Sequence, residues 1–185
     1  MIIYLHGFCS SPASWKSRLL AEYMAGRGLA GCFVCPQLSP VPDEAVASIS
    51  RLIEQADSQV TLVGSSLGGH YANHLAEKHG LDAVLINPAA VDRLNPAKFV
   101  GEHVNFHTGE RFAFSEVHAA QLKAQVSKPT PGRYWLLLEE GDEVLDWRQA
   151  ADFYAGCRET VLPGGDHSFT RFPDFMPQII EYAGL

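Results

Sequence analysis

The chain has no cluster of lysine and arginine residues. It carries 14 Lys and Arg against 21 Asp and Glu, which gives a net charge of −7 at pH 7. Proteins that bind nucleic acid usually present a basic patch to the phosphate backbone. We therefore expect no nucleic-acid partner.

Long apolar runs are also missing. The first residues, MIIYLHGF, are apolar, but no basic leader precedes them and the run is too short for a signal segment or a membrane span. The sequence thus predicts a cytoplasmic protein without a membrane span.

Cysteine is scarce, with four residues at positions 9, 32, 35 and 157. A cytoplasmic chain of this length needs no disulfide framework, so we expect free thiols. Cys32 and Cys35 form a C-x-x-C pattern inside a strand-like run, where residues three apart point to opposite faces. A redox pair or half of a zinc site is therefore not expected there.

Repeats, low-complexity tracts and linkers are absent, and 185 residues suit a single domain. Apolar runs alternate with helical patterns, and runs such as VTLV and AVLI are apolar throughout, as in buried parallel strands. The pattern predicts an α/β fold with a mostly parallel sheet of about six strands and helices on both faces. The predicted strands are 2–5, 32–35, 60–64, 83–87, 133–140 and 159–163, and the predicted helices are 13–27, 43–57, 67–79, 146–155 and 173–183.

Residues 89–131 break this alternation, because they separate two strands by more than one helical crossover requires. We interpret them as an insertion that forms a lid. Four aromatic residues in the insertion are candidates for contacting an apolar substrate, although such rings could equally anchor the insertion to the sheet. They are Phe99, Phe106, Phe112 and Phe114.

The stretch LVGSSLGGHYANHLAEKHG, residues 62–80, contains a G-x-S-x-G motif between a predicted strand and a predicted helix. This context is typical of the nucleophile elbow, in which glycines permit a sharp turn around a serine. Only Ser66 has glycines at both required positions, Gly64 and Gly68, so we favour Ser66 over Ser65 as nucleophile. A simple helix cap is the alternative role.

A serine nucleophile needs a base and an acid, which in this architecture follow it in the order acid, then histidine. His167 lies in the glycine-rich loop PGGDHSF after the last predicted strand, so it is the candidate base. Asp142 directly follows the preceding strand and is the candidate acid, with Glu143 and Asp146 nearby. Asp146 is better placed to cap the following helix.

An oxyanion hole needs two backbone N–H donors. Leu67, directly after the serine, is predicted to supply one. Phe8 is predicted to supply the other, with its neighbour Cys9 as the alternative. We expect His6 to shape this loop rather than to take part in chemistry.

The motifs LHGF, GSSLGG, GDEVLD and GGDHSF resemble those of the α/β-hydrolase superfamily and, more narrowly, of the small YqiA-like bacterial esterases. The resemblance covers nearly the whole chain, including the absence of the usual first hairpin. It implies hydrolysis of carboxylic esters, including acyl thioesters such as acyl-CoA, without metal or organic cofactor. Ser66, Asp142 and His167 match the catalytic positions of that family.

Two other functions fit parts of the pattern. One is a binding protein that keeps the fold without turnover, since fold does not fix function. The other is a metal-dependent hydrolase that uses His103 and His107. The sequence specifies neither the acyl and alcohol groups of a substrate nor the oligomeric state.

Overall fold

A computed structural model describes all residues, 1–185. Its centre is a sheet of six parallel strands in the order β2-β1-β3-β4-β7-β8, and a separate antiparallel hairpin contains β5 and β6. The α/β class and the six-stranded parallel sheet are confirmed. The strands are β1 (Ile2–Leu5), β2 (Phe33–Val34), β3 (Thr61–Ser65), β4 (Asp82–Ile86), β5 (Gly101–Val104), β6 (Arg111–Phe114), β7 (Tyr134–Glu139) and β8 (Arg158–Leu162).

Six helices accompany these strands, and five of them correspond to predicted helices. They are α1 (Trp15–Ala25), α2 (Pro42–Glu54), α3 (Leu67–His79), α4 (Glu116–Ala124), α5 (Trp147–Phe153) and α6 (Phe172–Tyr182). Helices α1 and α6 pack on one face of the sheet, and α2, α3, α4 and α5 pack on the other. No helix is both long and apolar enough to cross a membrane.

The strand order determines where a crevice forms at the edge of the sheet. The chain runs from β1 outward to β2, then returns past β1 to β3 and continues to β4. The loops after β1 and β3 therefore leave the sheet in opposite directions at neighbouring carboxyl ends, where open α/β sheets form a crevice. Strands β1, β3 and β7 are buried along their whole length, which explains their continuous apolar runs.

The sequence assigned no helix or strand to the insertion, residues 89–131, and this was incomplete. The structure contains the β5–β6 hairpin and helix α4 there. Helix α4 begins at a capping box, in which the Ser115 side chain accepts from His118 N–H and the His118 ring accepts from Ser115 N–H. The box was overlooked because histidine replaces the usual Glu or Gln at its third position.

Candidate active site

The turn between β3 and α3 has the strained backbone geometry expected of a nucleophile elbow. Ser66 has φ of 55° and ψ of −122°, a conformation that non-glycine residues rarely adopt. A Cβ on Gly68 would overlap the carbonyl group of Leu5 and lie 2.7 Å from the His6 oxygen, so glycine is required there. Ser66 occupies the N-cap position of α3, but its side chain makes no capping hydrogen bond and remains available for another role.

Ser66, His167 and Asp142 form one hydrogen-bonded chain. His167 Nε2 lies 3.0 Å from Ser66 Oγ, and His167 Nδ1 lies 2.8 Å from Asp142 Oδ2. A carboxylate only accepts hydrogen bonds, so Nδ1 carries the proton and Nε2 is free to accept the serine proton. Ser65 is buried and has no hydrogen bond to the histidine. The structure therefore brings together the three side chains predicted to cooperate.

Asp142 is held from both sides. Its Oδ1 accepts hydrogen bonds from the N–H groups of Val144 (2.9 Å) and Leu145 (2.8 Å). Burial raises the pKa of this carboxyl, but the hydrogen bonds from His167, Leu145 and Val144 outweigh burial and leave the pKa below its ordinary value. Asp142 is thus a fixed carboxylate.

The two alternative acids have other partners. Asp146 is the N-cap of α5, where its side chain accepts from Arg148 N–H, as the sequence predicted. Glu143 accepts a hydrogen bond from the backbone N–H of His167 at 2.9 Å, so it holds the loop rather than the ring.

Two buried residues that the sequence analysis missed support the histidine loop. Asn87, directly after β4, donates from Nδ2 to the carbonyl oxygens of Asp166 (3.1 Å) and His167 (3.3 Å), and its Oδ1 accepts from Glu139 N–H (3.0 Å). The Glu139 carboxylate accepts from Asp166 N–H at 2.6 Å. Polar residues at the carboxyl ends of apolar strands were the available signal, visible in VLIN and WLLLEE.

The loop after β1 passes directly beside Ser66. A Cβ on Gly7 would lie 3.4 Å from Ser66 Cβ, so the Gly7–Phe8 peptide borders the serine. The Phe8 N–H donates to no protein acceptor, and the Leu67 N–H is at the first position of α3, where no intrahelical acceptor exists. Both predicted oxyanion donors are therefore available.

His6 links two loops rather than forming a hydrogen bond with Ser66. Its Nε2 accepts from Leu38 N–H at 3.2 Å, which ties the loop to the segment after β2. Burial lowers the pKa of His6, so the ring is a neutral, buried link, in line with the loop-shaping role predicted for it.

The tip of the β5–β6 hairpin rests on the same loop. Phe106 N–H donates to the Cys9 carbonyl at 2.8 Å, and Asn105 Nδ2 donates to the Ser10 carbonyl at 2.7 Å. The Phe8 ring packs edge-on against Phe99, Phe112 and Phe114, with centroids 5.9, 5.7 and 5.5 Å away. The insertion is thus docked on the loop that carries the Phe8 N–H.

A cavity of about 620 Å³ opens at Ser66 and is called the Ser66 pocket below. Of the four aromatic candidates, Phe99, Phe106 and Phe114 line this pocket, whereas Phe112 lines a neighbouring cavity beyond Phe8. Phe99 is 43% exposed and Phe106 is 80% exposed, while Phe114 is buried. Phe99 and Phe106 therefore form the rim of the pocket, and Phe112 and Phe114 pack against Phe8.

The structure gives no support to the metal-dependent alternative. His103 Nε2 lies 2.6 Å from the Phe99 carbonyl, and no group of three His, Cys, Asp or Glu side chains is arranged to hold a metal ion. The four cysteines are free.

Several solved structures share this architecture. Mouse alpha/beta hydrolase domain-containing protein 10 is 19% identical and has a TM-score of 0.73, with 97% of this chain and 88% of that chain covered. Est1E from Butyrivibrio proteoclasticus with bound ferulic acid is 16% identical, with a TM-score of 0.74 and coverage of 100% and 89%. The monoacylglycerol lipase of Paleococcus ferrophilus is 15% identical, with a TM-score of 0.71 and coverage of 98% and 93%. The α/β-hydrolase fold is thereby confirmed.

Comparison by sequence identifies the family of the chain. A UPF0227 protein of Shewanella sediminis (strain HAW-EB3) is 25% identical over 187 residues, covering 97% of each chain. The family described as "Uncharacterised protein family (UPF0227)" matches residues 1–184. The chain therefore belongs to the UPF0227 family and has the α/β-hydrolase fold.

Proposed function

We propose that this protein is a serine esterase that hydrolyses carboxylic esters, including acyl thioesters, through an acyl-enzyme on Ser66. The observation that supports this most strongly is the hydrogen-bonded chain from Ser66 through His167 to Asp142, with distances of 3.0 and 2.8 Å. A serine oxygen within reach of an imidazole that a carboxylate orients is the arrangement needed for nucleophilic acyl transfer.

In the first half-reaction, Ser66 Oγ attacks the ester carbonyl carbon while His167 Nε2 takes the hydroxyl proton. The carbonyl oxygen becomes an oxyanion that accepts hydrogen bonds from the Phe8 and Leu67 N–H groups. His167 then gives its proton to the leaving alcohol or thiol, the bond to that group breaks, and the acyl group stays on Ser66. Asp142 stabilises the imidazolium throughout.

In the second half-reaction, water replaces the alcohol and gives a proton to His167 as it attacks the acyl carbon. The proton returns to Ser66 Oγ as the carboxylic acid leaves, so the enzyme is regenerated. No step requires a metal or an organic cofactor.

The Ser66 pocket favours an apolar acyl group. The insertion contributes Val91, Leu94, Phe99, Phe106 and Phe114 to its lining. Burial of methylene groups against such side chains contributes about 0.8 kcal/mol each. We propose Phe99 and Phe106 as substrate contacts at the rim, with Phe114 deeper and Phe112 acting through its packing on Phe8.

The test is a series of acyl esters and thioesters of increasing chain length, assayed with the wild-type protein and two matched variants. Ser66→Ala should lose on the order of 10⁶-fold in kcat, as removal of a nucleophile does in a comparable triad. Ser65→Ala, one residue away, should retain most activity because Ser65 has no bond to His167. Equal losses in both variants would contradict Ser66 as nucleophile. No turnover of any substrate by wild type would favour a binding protein instead.

A further inference from the structure

Lys16 occupies an unusual place on the wall of the Ser66 pocket. The residue is only 8% exposed, and its Nζ donates to the Ser168 carbonyl at 2.6 Å. No carboxylate lies within ion-pair distance of it. An ammonium group has three N–H donors, but Lys16 Nζ makes only this one hydrogen bond, and its other close contact is the Trp15 ring, with the centroid 5.5 Å away.

The acidic groups around Lys16 all lie beyond ion-pair distance from it, including Asp166, whose buried Oδ1 has no hydrogen-bond partner. Asp142 is bonded to His167, and Glu139 accepts from Asp166 N–H and lies 3.6 Å from the Arg171 guanidinium. Burial lowers the pKa of Lys16 to about 8, and the more distant carboxylates of Asp166, Glu139 and Asp142 offset this only in part. The protein leaves this cation under-compensated.

The local backbone adds to the cost of a positive charge here. Lys16 is the second residue of α1, near the helix end at which the macrodipole is positive and a cation is disfavoured. The first turn of α1 has no acidic residue and no side-chain cap. The hydroxyl of the preceding Ser14 is buried in the same pocket and has no hydrogen-bond partner. An anion at this end of α1 would be stabilised by the Lys16 charge and by the helix macrodipole.

The lining of the Ser66 pocket as a whole contains basic but no acidic side chains. Lys16 and Arg18 line the Ser66 pocket together with three histidines, and no Asp or Glu side chain does. This occurs in a chain whose acidic residues outnumber its basic ones, 21 to 14. The pocket therefore combines an apolar rim from the insertion with a cationic wall at the start of α1.

We propose that Lys16 and Ser14 form a subsite for an anionic group, a carboxylate or phosphate, on the leaving alcohol or thiol of the substrate. This rests on the proposed esterase function, in which His167 delivers its proton to the leaving group. Lys16 is bonded to the residue directly after His167, so its charge lies on the side of the pocket where the leaving group departs. The acyl group then extends toward Phe99 and Phe106.

The experiment compares two butyrate esters that differ only in charge. Their leaving alcohols are 3-hydroxypropanoate and the isosteric 3-hydroxypropanamide, and neutral 4-nitrophenyl butyrate reports basal esterase activity. Wild type should prefer the carboxylate ester by about 10- to 100-fold in kcat/KM, the size expected for hydrogen bonding to a charged group. Lys16→Met should lower kcat/KM for the carboxylate ester by about 10- to 100-fold more than for the amide ester, which abolishes the preference. Lys16→Arg should keep part of the preference.

Arg27→Met is the matched control, because it removes one positive charge from an exposed residue just past the other end of α1. It should keep the full preference. Equal losses on both esters in Lys16→Met would show that Lys16 only supports the histidine loop, which would overturn the proposal. The absence of a preference in wild type would overturn it without any variant. Failure to hydrolyse 4-nitrophenyl butyrate would instead count against the esterase function itself.

Discussion

Replacement of Asn87 by alanine should reduce both stability and turnover, because one buried side chain holds the loop that carries His167. The substitution removes hydrogen bonds of 3.0, 3.1 and 3.3 Å to Glu139 N–H and to the carbonyl oxygens of Asp166 and His167. Asp166 O still accepts from Phe169 N–H, so the main orphaned donor is the Glu139 amide in the core.

The magnitude follows from these losses. A buried donor left without a partner costs about 1–3 kcal/mol. Asn87 also has φ of 39°, a region that asparagine adopts more readily than alanine, which adds roughly 1 kcal/mol. We therefore expect the free energy of unfolding to fall by about 2–4 kcal/mol. A loop displaced by about 1 Å would lower kcat by on the order of 10²-fold.

Two measurements are needed: kcat on a short ester, under conditions in which each variant is folded, and the free energy of unfolding in urea. Asn73→Ala is the matched control, because Asn73 is also buried and its Nδ2, in α3, donates to the Tyr134 hydroxyl of β7 at 3.1 Å. This contact does not involve the loop that carries His167. Asn73→Ala should lower stability and spare kcat. If Asn87→Ala also lowers stability and leaves kcat unchanged, Asn87 does not position His167 and the reasoning fails.

Four further predictions follow from the same geometry. Asp142→Asn should lower kcat by on the order of 10⁴-fold through loss of the correct histidine tautomer. Asp146→Asn should instead lower the free energy of unfolding in urea by about 1 kcal/mol, through loss of the helix cap, and spare kcat. The reverse pattern would mean that the acid is misassigned. Because the pKa of Asp142 is lower in the folded than in the unfolded chain, its ionised form stabilises the protein above its unfolded pKa, and this contribution is lost as pH falls through the folded value. Asp142→Asn should therefore flatten the acid limb of a stability–pH curve, and an unchanged limb would contradict this. Gly68→Ala should distort the turn at Ser66, because the added Cβ would overlap the carbonyl groups of Leu5 and His6 at the end of β1. Normal kcat and thermal stability would refute that account. Phe99→Ala or Phe106→Ala should raise KM for esters of long acyl chains more than for acetyl esters, by an amount equivalent to roughly 1–3 kcal/mol of binding free energy. Uniform losses across the series for both variants would instead indicate that these rings only anchor the insertion.

The sequence predicted the fold and the three hydrogen-bonded residues because their signals are local. The apolar run and glycines around Ser66 lie in one short stretch, and the strand order places the loops of Asp142 and His167 at the same edge of the sheet. Their proximity follows from topology, because the carboxyl ends of neighbouring parallel strands meet.

The supporting residues could not be predicted in the same way. Lys16 and Ser168 are 152 positions apart, and Asn87 reaches a loop 80 positions later. Such contacts depend on how three loops are folded over the sheet edge, and no periodicity in the sequence records them. The insertion itself was predicted, but the β5–β6 hairpin inside it was not. Its two strands have four residues each, and the hairpin packs on the loop that carries Phe8, which is a long-range contact.

The central claim is that His167 and Asp142 activate the Ser66 hydroxyl. Labelling with a fluorophosphonate tests it directly, since this reagent forms a stable bond with an activated serine, and intact-protein mass spectrometry counts the adducts. Wild type and Ser65→Ala should each gain one adduct, while Ser66→Ala and His167→Ala should gain none. Unlabelled wild type, or labelling that persists in Ser66→Ala and disappears in Ser65→Ala, would contradict the claim.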